Sequence, residues 1–177
     1  EMLFMKKILV LPIIIGSVIL LSGCGEKKEL PSDDKKDEPV KTIQYECARN
    51  ETLTVLNNRL RTGENPKENA KDQDVAVNMS LARRYEFNEA GDKLLAYYDI
   101  STYEYVFDYD MDTQKKYFLS SCDKMDKATY KSCDVTVEGN KIIVVDEVDL
   151  TSEMANLYLV SLTLESIKNN YAESTYV

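Results

Sequence analysis

Residues 75–102 read VAVNMSLARRYEFNEAGDKLLAYYDIST. Val75, Val77, Met79, Leu81, Tyr85 and Phe87 occupy every second position, broken only by Arg83. Successive side chains of a strand point to opposite faces, so this period of two predicts a strand with one buried face. Asn88-Glu89-Ala90-Gly91-Asp92 follows as a turn, and Leu94 to about Thr102 returns as the partner. A long central hairpin of this kind points to an antiparallel sheet.

The flanking segments extend the pattern. Downstream, Cys133-Asp134-Val135-Thr136-Val137 and Ile142 to Leu150 are two β-branched runs joined by Glu138-Gly139-Asn140-Lys141, a second hairpin signal. Upstream, Ile43 to Cys47 alternates as a strand. Glu51 to Arg61 is read as a further strand rather than a helix, and the polar stretch after it, with Gly63 and Pro66, as a loop. Phe107, Met111, Phe118, Cys122 and Met125 step by helical spacing between the hairpins. Asp108, Asp110 and Asp112 sit near the start of that stripe, where the helix dipole favours negative charge. Leu157, Val160, Leu164, Ile167 and Tyr171 also step helically and predict one last helix; a strand to Leu162 with a short helix after it is the alternative. The order strand, strand, hairpin, helix, hairpin, helix gives an α+β domain, with a mainly antiparallel sheet built from hairpins and two helices packed on one face.

The totals narrow the function. The chain of 177 residues carries a net charge of −9. Lys6 and Lys7 against Glu1 make residues 1–23 net +1, so the remainder carries −10. Nucleic acid is an unsuitable partner for such a surface, because phosphates need a basic footprint. Histidine is absent, which excludes Ser-His-Asp and Cys-His catalysis and the usual His-containing zinc sites. There is no phosphate loop, dinucleotide fingerprint or nucleophile elbow, and no cofactor is expected.

The amino terminus carries an address. Met5 is read as the start, with Lys6-Lys7 directly after it and an apolar run from Ile8 to Leu21. As a helix that run reaches about 21 Å, short of a bilayer core of about 30 Å. A positive start, a short apolar middle and small residues at the exit make a secretory signal peptide. The exit, Leu21-Ser22-Gly23-Cys24, resembles the lipobox of bacterial lipoproteins. That resemblance implies cleavage between Gly23 and Cys24, a diacylglyceryl group on the Cys24 sulfur, and a membrane anchor of two or three acyl chains. Residues 1–23 are then the signal peptide, 24–42 the lipidated cysteine and a charged, disordered tether, and 43–177 a single domain.

Cys47, Cys122 and Cys133 remain once Cys24 is assigned to lipid. A Cys122–Cys133 bridge would close a short loop between the helix end and the next strand; three buried thiols are the other reading. In layout the chain resembles small uncharacterised lipoproteins of low-GC Gram-positive bacteria, many of which end in a glycine-tyrosine-x-cysteine tail. Here the end is Ser174-Thr175-Tyr176-Val177. The resemblance therefore implies a natural cysteine just beyond Val177 as the partner of Cys47.

Three candidate sites are weighed on their residues. Asp108-Tyr109-Asp110-Met111-Asp112 opens like a calcium loop, but Thr113 and Leu119 stand where an EF-hand needs glycine and glutamate, so a capped helix start is preferred and no metal is expected. Tyr97, Tyr98, Tyr103 and Tyr105 could form a stacking surface for a sugar or peptide, or could pack on the sheet as strand residues. Asp146, Glu147 and Asp149 could suggest acid/base work, but alternation puts Asp146 on the face opposite the other two. The expectation is a non-enzymatic, lipid-anchored envelope module that binds a protein partner or has a structural role, with small-ligand binding by the tyrosine-rich hairpin as the alternative.

Overall fold

The computed structural model describes residues 23–27, 41–64 and 68–173. Its elements in chain order are β1 (Gly23–Lys27), β2 (Thr42–Thr54), α1 (Val55–Thr62), β3 (Val75–Asn88), β4 (Leu94–Tyr105), α2 (Met111–Cys122), β5 (Tyr130–Glu138), β6 (Lys141–Val148), α3 (Glu153–Tyr158) and α4 (Leu164–Glu173). The strands form one six-stranded sheet in the order β1-β2-β3-β4-β6-β5, with every neighbouring pair antiparallel. The fold is α+β, as the hairpin pattern predicts.

Both hairpins form where the alternation places them. In the first, Tyr85 stands opposite Tyr97 and Met79 opposite Tyr103. Asn88 closes its turn: the Oδ1 atom accepts from the backbone N–H groups of Asp92 and Lys93, both at 3.1 Å. In the second, Gly139 has φ +62°, a left-handed conformation that costs glycine little. The neighbouring Asn140 side chain donates to the Tyr105 carbonyl at 2.8 Å, tying this turn to the end of β4.

Two segments depart from the sequence reading. Glu51 to Arg61 is not a separate strand. Its first four residues finish β2, and the chain then turns into α1. The Thr54 hydroxyl accepts from the Asn57 N–H at the helix start, and Gly63 ends the helix at φ +75°. Val55 and Asn58, three residues apart, are buried on one helical face, which outweighs the local strand pattern. The last predicted helix is two helices, α3 and α4, separated by 159–163. Ser152 caps the first, and at the start of the second Thr163 and Ser166 exchange side-chain-to-backbone hydrogen bonds. A third difference concerns the predicted tether: Gly23–Lys27 is a strand paired to β2, its backbone groups filling an edge that would otherwise be open. Residues 28–40 of the predicted tether, residues 1–22 of the predicted signal peptide and residues 174–177 lie outside the described residues.

The helices pack on one face of the sheet, in two groups at opposite ends of the strands. Ala155 and Leu159 near α3 and Ile167 of α4 bury with Tyr45, Tyr85, Phe87, Leu94, Tyr97 and Val148. Val55 of α1 and Phe118 of α2 bury with Val77, Met79, Tyr103, Tyr105, Ile142 and Val144. Fully burying one such side chain contributes about 1.5–3 kcal/mol, so each group holds its own end of the sheet. The opposite face belongs to neither core.

Candidate functional site

Between the two cores, one row of cross-strand neighbours crosses the helix-bearing face. The register sets Cys47 of β2 opposite Arg83 of β3, Arg83 opposite Asp99 of β4, Asp99 opposite Asp146 of β6, and Asp146 opposite Cys133 of β5. Arg83 is the residue that breaks the alternation of β3. It occupies a core-facing position yet is exposed, while Cys47 at one end of the row is buried and Asp99, Asp146 and Cys133 are half-buried.

The row is electrostatically graded. Arg83 Nε lies 3.8 Å from Asp99 Oδ1, and the Tyr97 hydroxyl donates to the same oxygen at 2.8 Å. Asp146 has no such support. Its Oδ1 is buried and has no hydrogen-bond partner. Burial, and then the neighbouring Asp99 charge, push its carboxyl up to about 6. Burial leads the causes at Tyr130 too, where the charges of Asp99, Asp146 and Asp126 add to raise the phenol.

Cys122 and Cys133 form a disulfide that joins the end of α2 to β5. A carboxylate oxygen of Asp146 and the two sulfurs all lie within 4.8 Å of one another. With both sulfurs bonded to each other, the trio offers no thiolate to a metal ion. Cys47 is also disulfide-bonded, and among the described residues no cysteine is free. The backbone register places Cys24 of β1 directly across from Cys47.

No protein-family model, curated protein or solved structure matches this chain.

Three of the four hairpin tyrosines are core residues. Tyr97, Tyr103 and Tyr105 are 7%, 8% and 2% exposed and belong to the two cores. Their hydroxyls are engaged as well. Tyr97 donates to Asp99, Tyr105 donates to Gln114 Oε1 at 2.9 Å, and Tyr103 accepts from Arg61 Nη2 at 3.4 Å, with the Arg61 guanidinium 5.3 Å from the Tyr103 ring centre. They are strand residues whose aromatic bodies fill the core, as period-two alternation requires of 97, 103 and 105. Tyr98 has the opposite parity and stands on the other face, beside Glu147 and Arg84.

Asp110 is the cap of α2: its Oδ1 accepts from the Asp112 N–H at 3.1 Å, and its Oδ2 from the Thr113 hydroxyl at 2.8 Å. Those hydrogen bonds hold its carboxyl below the usual carboxylate range. The pairing of Asp99 with Asp146 was missed in the sequence. The available signal was that Arg83, Asp99 and Asp146 all occupy core parity in otherwise apolar strands.

The bare face is built differently. Ala48, Ala82, Ile100 and Val145 are consecutive cross-strand neighbours, with Ser80, Thr102 and Ile143 in the adjacent row. All seven are partly exposed. Around them stand two ion pairs and a hydrogen-bonded carboxylate: Arg84 Nε donates to Glu46 Oε2 at 3.0 Å, Lys131 Nζ to Glu147 Oε1 at 2.6 Å, and the neutral Gln44 Nε2 to Glu86 Oε1 at 2.9 Å. An apolar stripe with a rim of satisfied charges has the composition of a protein-binding surface. Among the described residues, no helix is long and apolar enough to cross a membrane.

Proposed function

We propose that this protein is an extracytoplasmic lipoprotein, anchored through Cys24, whose domain binds a protein partner across the bare face of its sheet. The observation that carries the partner-binding reading is the asymmetry of the sheet. Four helices cover one face, while Ala48, Ala82, Ile100, Ile143 and Val145 stay outside both cores on the other. Flat pleated surfaces with an apolar centre and a charged rim suit another protein surface better than a small molecule, which prefers a concave site. The stripe is neutral, and at its rim Arg84 pairs with Glu46 and Lys131 with Glu147. Shape and apolar contact would then carry affinity, and a partner would be recognised with weak dependence on salt.

The anchor rests on Leu21-Ser22-Gly23-Cys24. A thioether at Cys24 takes that sulfur out of disulfide chemistry, so the lipid reading requires any bridge of Cys47 to use another cysteine. Intact-mass analysis of protein extracted from membranes tests this directly. The reading expects an acylated chain that begins at Cys24. An unacylated chain contradicts it. For partner binding, Ile100→Asp should abolish capture of the partner that the wild-type chain retains from its own envelope, with the fold intact by circular dichroism. Equal capture by both chains would contradict the reading.

A further inference from the structure

We propose that Cys122–Cys133 is an exchange-active disulfide whose co-reactant is a dithiol, with Asp146 serving as its proton donor and acceptor. The inference goes beyond the binding role proposed above and does not depend on it. Three observations carry it. The sulfurs and an Asp146 oxygen are mutually within 4.8 Å, inside the range that a small movement closes to a hydrogen bond. Both cysteines are partly exposed, Cys122 at the end of α2 and Cys133 on the outermost strand β5, so a thiol can approach. The Asp146 carboxylate keeps a buried oxygen without a partner, an arrangement that costs free energy in the oxidised protein.

Reduction would supply what that carboxylate lacks. In the oxidised state the two sulfurs have no hydrogen to donate. In the reduced state each is an S–H group beside Asp146. The orphan oxygen thus favours the dithiol and makes the disulfide easier to reduce than an ordinary staple.

The exchange balances as follows. One sulfur of the dithiol, as a thiolate, attacks Sγ of one cysteine. The Cys122–Cys133 bond breaks, and the departing sulfur takes the proton held on the Asp146 carboxyl. The carboxylate then accepts the proton of the second thiol, which attacks the mixed disulfide. The remaining cysteine leaves as a thiolate and is protonated from Asp146 or water. The dithiol loses two electrons and two protons and becomes a disulfide, and the protein gains both as two thiols. The titratable groups facing Asp146 are Asp99 on β4, Tyr130 and Cys133 on β5, and Cys122 on α2; Arg83 and Tyr97 act on it through Asp99. Burial and Asp99 keep the acid protonated to higher pH than an ordinary aspartate, so it can donate under mildly acidic conditions.

The test uses the folded full chain equilibrated with ratios of reduced and oxidised dithiothreitol, then alkylated and mapped by peptide mass spectrometry so that Cys122 and Cys133 are read separately from Cys47. The wild-type bridge should open while near-ultraviolet circular dichroism stays native. Asp146→Ala should shift the equilibrium about tenfold towards the disulfide. Asp146→Asn keeps an acceptor oxygen but no acid; it should shift the equilibrium less, yet slow reduction about tenfold at pH 6. A bridge that resists excess reduced dithiothreitol until the protein unfolds would overturn the proposal, and this reading needs no variant. Identical equilibrium and rate in wild type and both variants would overturn it equally.

Discussion

The two faces of the sheet solve opposite problems with the same strands. On the helix-bearing face, Val77, Phe87 and Ile142 are 0% exposed, and the tyrosines that join them spend their hydroxyls on Asp99, Gln114 and Arg61. On the bare face, Ile100, Ile143 and Val145 come from the same central strands and remain partly exposed, and among the described residues no helix belongs to a core with them. The first face holds the fold together, and the second is free to serve something outside it. The difference is one of parity along each strand, so adjacent residues such as Tyr97 and Tyr98 have unrelated roles.

Substitutions that separate the faces sharpen this comparison. The largest effect belongs to the covered face. Phe87→Ala or Tyr105→Ala should cost about 3–5 kcal/mol in urea unfolding, because each opens a cavity in a full core. Ile100→Ala, on the bare face, should cost far less, and equal losses would erase the distinction between the faces.

Next comes Asp146, a half-buried acid on the helix-bearing face. Its folded value of about 6 lies above the ordinary 3.8, so its contribution to stability is complete below pH 3.8 and is lost as pH rises through 6. The full shift corresponds to about 3 kcal/mol, and screening of a half-exposed group reduces this to about 1–2 kcal/mol. Asp146→Asn should therefore be more stable than wild type by that amount at pH 7 and gain nothing near pH 3. Urea midpoints across that range check the sign.

Ser152 gives a smaller effect. Its hydroxyl accepts from the Ala155 N–H at 3.1 Å and starts the helix that roofs one core. Ser152→Ala should cost about 1 kcal/mol. The smallest effect belongs to the rim of the bare face. Arg84→Ala removes a partly exposed pair with Glu46 and should cost less than about 1 kcal/mol, less still in high salt.

Most of the sheet was legible because its signals are local. Period-two alternation from Val75 to Phe87, and Gly139-Asn140 between β-branched runs, each fix a hairpin without knowledge of the rest. The stripe through Met111, Phe118 and Cys122 fixed a helix by the same logic. The errors fell where local pattern and tertiary burial disagree. Val55 and Leu60 fit a strand as well as a helix until the Thr54 cap, the Gly63 terminus and the burial of Asn58 decide it. Leu157 and Val160 keep helical spacing although they are 66% and 53% exposed and the helix breaks beside them.

The candidate site was legible only in part. The Cys122–Cys133 pairing could be argued from a helix end meeting the next strand. The meeting of Asp99 with Asp146 depends on β4 pairing with β6 rather than with β5, a non-local choice that the composition of neither strand encodes. The tyrosines left two readings open in the sequence, because aromatic residues mark a pleated core and a binding surface alike, and only parity against a known core separates the two.

The central claim is that the bare face meets a partner. A photo-crosslinking phenylalanine analogue at Tyr98, irradiated in the native envelope, tests it most directly against the same probe at Lys127, which is exposed in the turn after α2. The account predicts a discrete protein adduct from position 98 that disappears with Ile100→Asp, and none from position 127. Adducts from both positions alike, or none from position 98, would contradict it.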